Sequence, residues 1–152
     1  MPMFFNKIHV HAALIDCLNE KHKELQAALA ETDDSLSADS KSTAGDKHET
    51  GRAMAQLERE KIGGFIQQHE QLMANAQRLD SSVKTSTIRL GSLVNTSNGW
   101  YYISVAAGRI FLENTPVFCL SPAAPLVGAL LGKKSGEEVL WQGNSIAIVS
   151  IF

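Results

Sequence analysis

The amino-acid sequence predicts an α+β protein in which an antiparallel helical hairpin (a coiled coil) precedes a mostly antiparallel sheet with one short helix. The composition of the chain changes near residue 80. Before this point the chain is rich in Ala, Leu, Gln, Glu and Lys, which are good helix formers. After it, β-branched and aromatic residues are punctuated by Gly and Pro, as is typical of strands and turns. We therefore expect two domains, residues 1–80 and residues 81–152.

The first predicted helix runs from about Lys7 to Glu31, and the second from about Lys47 to Leu79. Each carries apolar residues at heptad spacing, which is the pattern of a helix that packs along one partner. These residues are Ile8, Ile15, His22 and Leu29 with Leu18 and Leu25 in the first helix, and Met54, Leu57, Phe65, Leu72 and Leu79 in the second. The stretch Thr32 to Lys47 is rich in Ser, Asp and Gly and predicts the loop of the hairpin. Gly63-Gly64 is a candidate bend in the second helix.

The second half of the chain predicts a linker, strands and one helix. Asp80 to Thr85 is the linker. Strands are expected at Ser86–Asn95, Trp100–Ala106, Pro116–Leu120, Glu138–Trp141 and Ser145–Ile151. Ser121-Pro122 predicts the start of the helix, with Ser121 as N-cap and Pro122 as first helical residue, and Gly132 predicts its end.

The chain is close to neutral, with a formal charge of −2 at pH 7. Binding along duplex DNA requires many Lys and Arg residues that neutralise phosphates, so we expect contact with nucleic acid only through a protein partner. The acidity is concentrated between Glu31 and Glu49, which holds six acidic and two basic residues and hence a charge of −4, against +2 for the remainder. An acidic segment of this kind attracts a bound cation.

Cys17 and Cys119 are expected to be free, buried thiols, because they lie far apart and outside any CxxC or Cys/His cluster. Lys7, His9 and His11 interrupt the apolar N-terminal stretch, which argues against a signal peptide. No run approaches the ~20 apolar residues of a membrane span. These features predict a soluble cytoplasmic protein in a reducing compartment, without a membrane partner.

Asp46 and Glu49 stand three residues apart at the predicted start of the second helix, and therefore on one of its faces. Carboxylate oxygens are ligands that Mg²⁺ prefers, and one or two of them can complete a site that is shared with another molecule. The same pair is also nearly a capping box, in which Asp46 caps the helix and Glu49 is its third residue. The pair by itself leaves both interpretations open.

Two stretches resemble the GreA/GreB family of transcription elongation factors. The run Ser121-Pro122, Val127–Lys134 and Gly136–Val139 is similar in order, spacing and position to the C-terminal domain of that family. Gly45-Asp46-Lys47-His48-Glu49 is similar to the Gly-Asp-x-x-Glu motif at the tip of the family's helical hairpin. The resemblance implies an FKBP-like fold for residues 81–152 and docking of this domain on bacterial RNA polymerase.

The resemblance also implies a function. A Gre-like factor inserts its hairpin into the secondary channel of RNA polymerase and stimulates cleavage of backtracked transcripts. Asp46 and Glu49 would be the catalytic tip acids, which help to hold a second Mg²⁺ in the polymerase active site. The chain would then be an accessory factor rather than an enzyme, and this shared Mg²⁺ would be its only metal. Arg52, Lys133 and Lys134 would contact the polymerase, and RNA and DNA would be reached only through the elongation complex.

Alternatives stay open. After Glu49 the family continues with Asn-Ala-Glu-Tyr, whereas this chain has Thr50-Gly51-Arg52-Ala53, so an aromatic residue is absent and a basic one is present. This difference favours, as an alternative, a channel-binding regulator or inhibitor of the polymerase that does not stimulate cleavage. A further alternative is an FKBP-like prolyl isomerase or chaperone, which needs an apolar pocket lined by aromatic residues. Arg52 also fits a solvated helix face, and Lys133-Lys134 also fits compensation of a helix dipole.

Overall fold

The structure of the chain is a computed structural model that describes residues 5–40 and 45–152, without the side chains of 37–40 and 45–48. Its elements in chain order are α1 (Lys7–Ser40), α2 (Gly45–Gln77), β1 (Leu93–Thr96), β2 (Gly99–Ile103), β3 (Gly108–Leu112), β4 (Thr115–Leu120), α3 (Pro125–Leu130), β5 (Glu138–Trp141) and β6 (Asn144–Ile151). This order confirms the predicted α+β architecture, with two long helices before a sheet and one short helix. Within the described ranges, no helix is both long and apolar enough to cross a membrane.

The chain packs as two compact units. The hairpin unit comprises Leu18–Gln71, and the sheet unit comprises Met1–Cys17 together with Leu72–Phe152. Both long helices therefore contribute residues to both units. The predicted division into two domains at residue 80 concerns segments that fold independently, and it stays a prediction.

The two long helices run antiparallel in the hairpin unit. The ring of His22 in α1 stacks on that of His69 in α2, with centroids 6.0 Å apart. Further along α1, Asp33 Oδ1 lies 2.5 Å from Nε of Arg59, which precedes His69 in α2. A residue earlier in α1 thus contacts a residue later in α2, and a residue later in α1 contacts one earlier in α2. This pattern confirms the predicted hairpin.

The predicted limits of the helices need correction at the turn of the hairpin. Helix α1 continues to Ser40 rather than ending at Glu31, so the predicted loop is wrong for Thr32–Ser40. The polar residues there are accommodated on the helix: the Thr32 hydroxyl donates to the carbonyl of Ala28 at 3.0 Å. Helix α2 begins at Gly45 instead of Lys47, runs without interruption through Gly63-Gly64 and ends at Gln77. Residues 41–44 of the predicted loop lie outside the described residues.

The predicted heptad seam is wrong at several positions. Exposed side chains are found at Ile8 in α1 and at Met54, Leu57 and Phe65 in α2. Among the described residues of the two helices, the buried apolar side chains are Val10, Leu14 and Leu18 in α1 and Ile62 and Ala76 in α2. An α-helix has 3.6 residues per turn, so a straight helix drifts away from a strict seven-residue repeat. In α2, Ile62 is buried and His69 stacks on His22 of α1, whereas Phe65, which lies between them in the chain, is exposed.

The sheet has the strand order β3-β4-β2-β1-β6-β5. Its described pairs are antiparallel, as predicted, except that β2 and β4 are parallel. Strand β3 is absent from the predicted strands, because Gly108 and Arg109 open it and the turn residues Glu113-Asn114 follow it. Strand β1 is shorter than the predicted Ser86–Asn95, because Gly91, with φ of 92°, interrupts the extended backbone.

The short helix begins later than predicted, and Ser121 is not its N-cap. Helix α3 starts at Pro125, and Ala124 precedes it with the extended angles φ −64° and ψ 136°. A residue before proline is disfavoured in the helical region, so the helix cannot extend back through Ala124. The Ser121 hydroxyl instead accepts a hydrogen bond from the Ala123 N–H at 3.2 Å, which forms a turn. Gly132 ends the helix as predicted, with φ of 79°.

Helices cover the two faces of the sheet. On one face, Val127 of α3 packs in a cluster with Tyr101 and Ile103 of β2. Successive side chains of a strand point to opposite faces, so Tyr102 lies on the other one. There its ring meets that of His11 in α1, edge to face, with centroids 5.9 Å apart. The start of α1 is therefore part of the core of the sheet unit.

Candidate functional site

The predicted tip acids lie in the first turns of α2. Because α2 begins at Gly45, Asp46 lies within the helix rather than before it. The backbone therefore does not support the alternative in which Asp46 is the N-cap residue. Asp46 and Glu49 are three residues apart on this helix and share a face. Glu49 is exposed to solvent, whereas the Asp46 side chain lies outside the described part of the structure.

The acidic segment lies on the ends of two helices rather than in a loop. Asp33 and Asp34, predicted as solvated loop residues, both belong to α1. Asp33 pairs with Arg59 of α2, and both side chains are about half exposed, at 47% and 54%. Such a pair contributes at most about 1 kcal/mol, but it neutralises one of the acids in the segment. Asp34 is exposed and adds to the negative charge of this end of the hairpin.

Arg52 is exposed on α2, three residues after Glu49 and therefore on the same helix face. Asp46 and Arg52 are six residues apart and therefore about 120° apart around the helix axis, so Glu49 is the tip acid that neighbours the guanidinium. A guanidinium is permanently charged and binds phosphate or carboxylate in a planar, bidentate geometry. The arrangement can bind a cation at its first turn and an anion one turn later.

Lys133 and Lys134 follow α3 in the sheet unit. The carbonyl of Lys133 accepts a hydrogen bond from the Ile88 N–H at 2.9 Å, and the N–H of Lys134 donates to the carboxylate of Glu137. Lys133 is half-buried, whereas Lys134 is exposed. The backbone of this turn is therefore held by hydrogen bonds on both sides, while the Lys134 side chain is accessible to a partner.

Asp46 and Glu49 can supply only part of a metal site. Among the described residues, no group of three or more His, Cys, Asp or Glu side chains is placed to hold a metal ion. Two carboxylates one turn apart provide fewer oxygens than the six ligands that Mg²⁺ requires. This donor set fits an ion whose remaining ligands come from a second molecule.

Two histidine contacts lie outside the sequence predictions. His11 Nδ1 lies 2.8 Å from the hydroxyl of Tyr102, and burial lowers the pKa of His11 and raises that of Tyr102. In the hairpin unit, His22 Nδ1 is buried and has no hydrogen-bond partner among the described residues. The stacked His69 is anchored differently, since its Nε2 lies 2.7 Å from the carbonyl of Leu18. In the sequence, these contacts were indicated only by the heptad position of His22.

The two cysteines differ in environment. Cys119 is buried in β4, as predicted, and burial raises the pKa of its thiol to about 12. The prediction of burial is wrong for Cys17, which is exposed on α1. Its position falls on the solvent side of the helix, between the buried residues Leu14 and Leu18.

Comparison with known proteins does not show the family of this chain. No protein-family model and no curated protein matches it. Among solved structures, it is similar to the transcription factor Gfh1, with 21% sequence identity over 91% of this chain and 93% of that chain, at a TM-score of 0.40. A structural similarity this low does not assign the chain to a family.

Proposed function

We propose that the chain is a Gre-like accessory factor that binds bacterial RNA polymerase, places its hairpin in the secondary channel and stimulates cleavage of backtracked transcripts. The observation that carries this proposal is the antiparallel pair of long helices, in which the first turns of α2 contain Asp46 and an exposed Glu49. The resemblance of Gly45–Glu49 and of Ser121–Val139 to the Gre family supports it from two separate parts of the chain.

The dimensions of the hairpin unit support this role. From Leu18 to Ser40, α1 measures roughly 35 Å at 1.5 Å per residue, and two helices side by side are roughly 20 Å wide. A long, narrow element suits insertion into a channel. Its charge is also suitable, because the acidic segment lies at the turn and not along the whole hairpin.

In this proposal, Asp46 and Glu49 supply carboxylate oxygens to a Mg²⁺ ion that the polymerase also binds. Such an ion activates water for phosphodiester hydrolysis and stabilises the charge that develops. The contribution of this chain is positional, because the backbone hydrogen bonds of α2 hold both residues on one face. Its negative charge also raises the local concentration of cations.

Arg52, Lys133 and Lys134 are the proposed contacts with the polymerase. Arg52 neighbours Glu49 one turn further along α2, where it can pair with a carboxylate or phosphate in the channel. The turn that contains Lys133 and Lys134 belongs to the sheet unit and would bind an acidic surface of the polymerase. The excess positive charge outside the acidic segment favours such a surface.

A transcript-cleavage assay tests the proposal. The purified protein is added, with Mg²⁺, to stalled and backtracked elongation complexes that carry 3′-labelled RNA. We expect release of short 3′ fragments, and loss of this release in Asp46→Asn and in Glu49→Gln, because each substitution keeps the size of the side chain and removes its charge. Glu58→Gln is the matched control, since Glu58 is an exposed acid further along α2, and it should retain full activity.

The other outcomes distinguish the alternatives. Polymerase binding and slowed extension without fragment release would favour the channel-binding regulator, which the presence of Arg52 after the tip motif makes the nearest alternative. Fragment release that persists in both tip variants would contradict the role of the carboxylates. Failure of the wild-type protein to bind the polymerase would overturn the proposal as a whole.

A further inference from the structure

The sheet unit contains an apolar cavity that the proposed function does not use. Its volume is about 270 Å³. It lies between the start of α1, the segment that precedes β1 and the end of the chain. Its walls include Phe5, Lys7, Lys84, Leu93, Trp100 and Phe152. None of the described residues that line it is acidic.

Three aromatic rings form one wall of this cavity. The centroids of Phe5 and Trp100 are 4.6 Å apart, and those of Trp100 and Phe152 are 6.0 Å apart. Phe5 is buried, whereas Trp100 is half-buried and Phe152 is exposed. The wall therefore reaches from the interior to the surface. Aromatic rings of this kind offer a large apolar area and favour edge-to-face or offset contact with another ring.

Lys7 is the most deeply buried charged residue that lines the cavity. Only 6% of the residue is exposed, and its Nζ donates to the carbonyl of Val83, which uses one of three ammonium hydrogens. Burial lowers the pKa of Lys7, the charge of Arg89 lowers it further, and the charge of Asp80 opposes both only in part. The ion pairs formed by the described residues do not include Lys7. Asp80 therefore compensates the burial of this ammonium only in part, and an anionic ligand would add to that compensation.

We propose that the cavity binds a small aromatic carboxylate, whose ring packs against Trp100 and whose carboxylate pairs with Lys7. Lys84, which is exposed at the rim, adds a second positive charge. A cavity of roughly 150 Å³ holds one benzene molecule, so this one has room for a ring with a short carboxylate side chain. A neutral molecule of the same shape fills the space but leaves Lys7 unpaired. Charge is therefore the basis of selectivity, and the site is independent of the tip acids.

Binding is measured with 3-phenylpropionate and with 3-phenylpropionamide, which has the same shape without the charge. The chain has two tryptophans, and the experiment uses the full chain with Trp141→Phe. Trp100 is then the remaining tryptophan, and its fluorescence reports on the cavity. We expect the carboxylate to produce a saturable change in Trp100 emission. The amide should bind at least about tenfold more weakly, because it cannot form the charge-assisted hydrogen bond to Lys7.

Lys7→Met removes the ammonium and keeps an unbranched apolar side chain. We expect it to lower the affinity for the carboxylate to that for the amide. Lys23→Met is the matched control, since Lys23 is exposed in the hairpin unit and does not line the cavity, and it should bind as the parent does. If Lys7→Met does not fold, as judged by far-ultraviolet circular dichroism, Lys84→Gln replaces it, with an expected loss of about threefold.

The proposal is overturned by equal affinity for carboxylate and amide, or by a folded Lys7→Met or Lys84→Gln variant that binds as the parent does. It is also overturned if Trp100 emission stays unchanged up to about 10 mM carboxylate. None of these results depends on RNA polymerase, so failure of the transcript-cleavage assay and failure of this binding test are separate outcomes.

Discussion

Replacement of Tyr102 by Phe tests how α1 is attached to the sheet. Tyr102 is fully buried in β2, and its hydroxyl lies 2.8 Å from Nδ1 of His11 in α1. The substitution keeps the ring that packs edge-on against His11 and removes only the hydroxyl group. It leaves the half-buried His11 Nδ1 without its partner. Loss of one partner of a buried hydrogen bond costs about 1–3 kcal/mol, and we expect the free energy of unfolding to fall by this amount.

Urea denaturation at neutral pH measures this change. Trp100 in β2 and Trp141 in β5 both belong to the sheet unit, so their fluorescence follows the unfolding of the part of the chain that contains Tyr102. Tyr101→Phe is the control on the adjacent position of the same strand. The Tyr101 hydroxyl makes no hydrogen bond to the described residues. It is also not among the fully buried polar atoms that lack a partner. Its removal should change the free energy of unfolding by less than about 0.5 kcal/mol.

A double-mutant cycle with His11→Leu isolates the interaction. His11→Leu leaves the Tyr102 hydroxyl buried and unpaired, whereas the double variant removes both polar groups. We therefore expect the double variant to be more stable than the sum of the single effects predicts, with a coupling energy of about 0.5–3 kcal/mol. The reasoning is refuted if Tyr102→Phe is as stable as Tyr101→Phe, or if the coupling energy is zero within error.

The remaining predictions concern two histidines. His22→Leu removes a buried Nδ1 that has no partner among the described residues. The free energy of unfolding should therefore stay unchanged or rise by up to about 1 kcal/mol. Urea denaturation followed by circular dichroism measures this change, and a decrease of the same size would contradict the prediction. Burial lowers the pKa of His11 below its ordinary value of 6.5. The unfolded chain therefore binds more protons as the pH falls through 6.5, and stability should decrease there, down to the lower folded-state pKa. Urea midpoints measured from pH 7.5 to about 5.5 should show a smaller decrease in His11→Leu than in the wild type.

Local signals in the sequence determined the type and order of most elements. Strand β5 has the predicted limits, Glu138–Trp141, because a short apolar run stands between Gly-containing turns. Gly132 ends α3 because its φ of 79° suits glycine far better than other residues. The change of composition near residue 80 was sufficient to predict helices before it and a sheet after it. The placement of Asp46 and Glu49 on one helix face also follows from their spacing alone.

The tertiary structure decided which of the plausible local features are used. Ser121-Pro122 is a good helix start by local criteria, but Pro125 excludes Ala124 from the helical region and moves the start of α3. In α2, Ile62 is buried and Phe65 is exposed, although both are large apolar residues only three positions apart. His11 meets Tyr102 across 91 positions of the chain, and Lys7 meets Val83 across 76. Such contacts depend on how distant segments pack. The aromatic cavity that Lys7 helps to line could not be predicted from any local pattern, because its walls come from three separated parts of the chain.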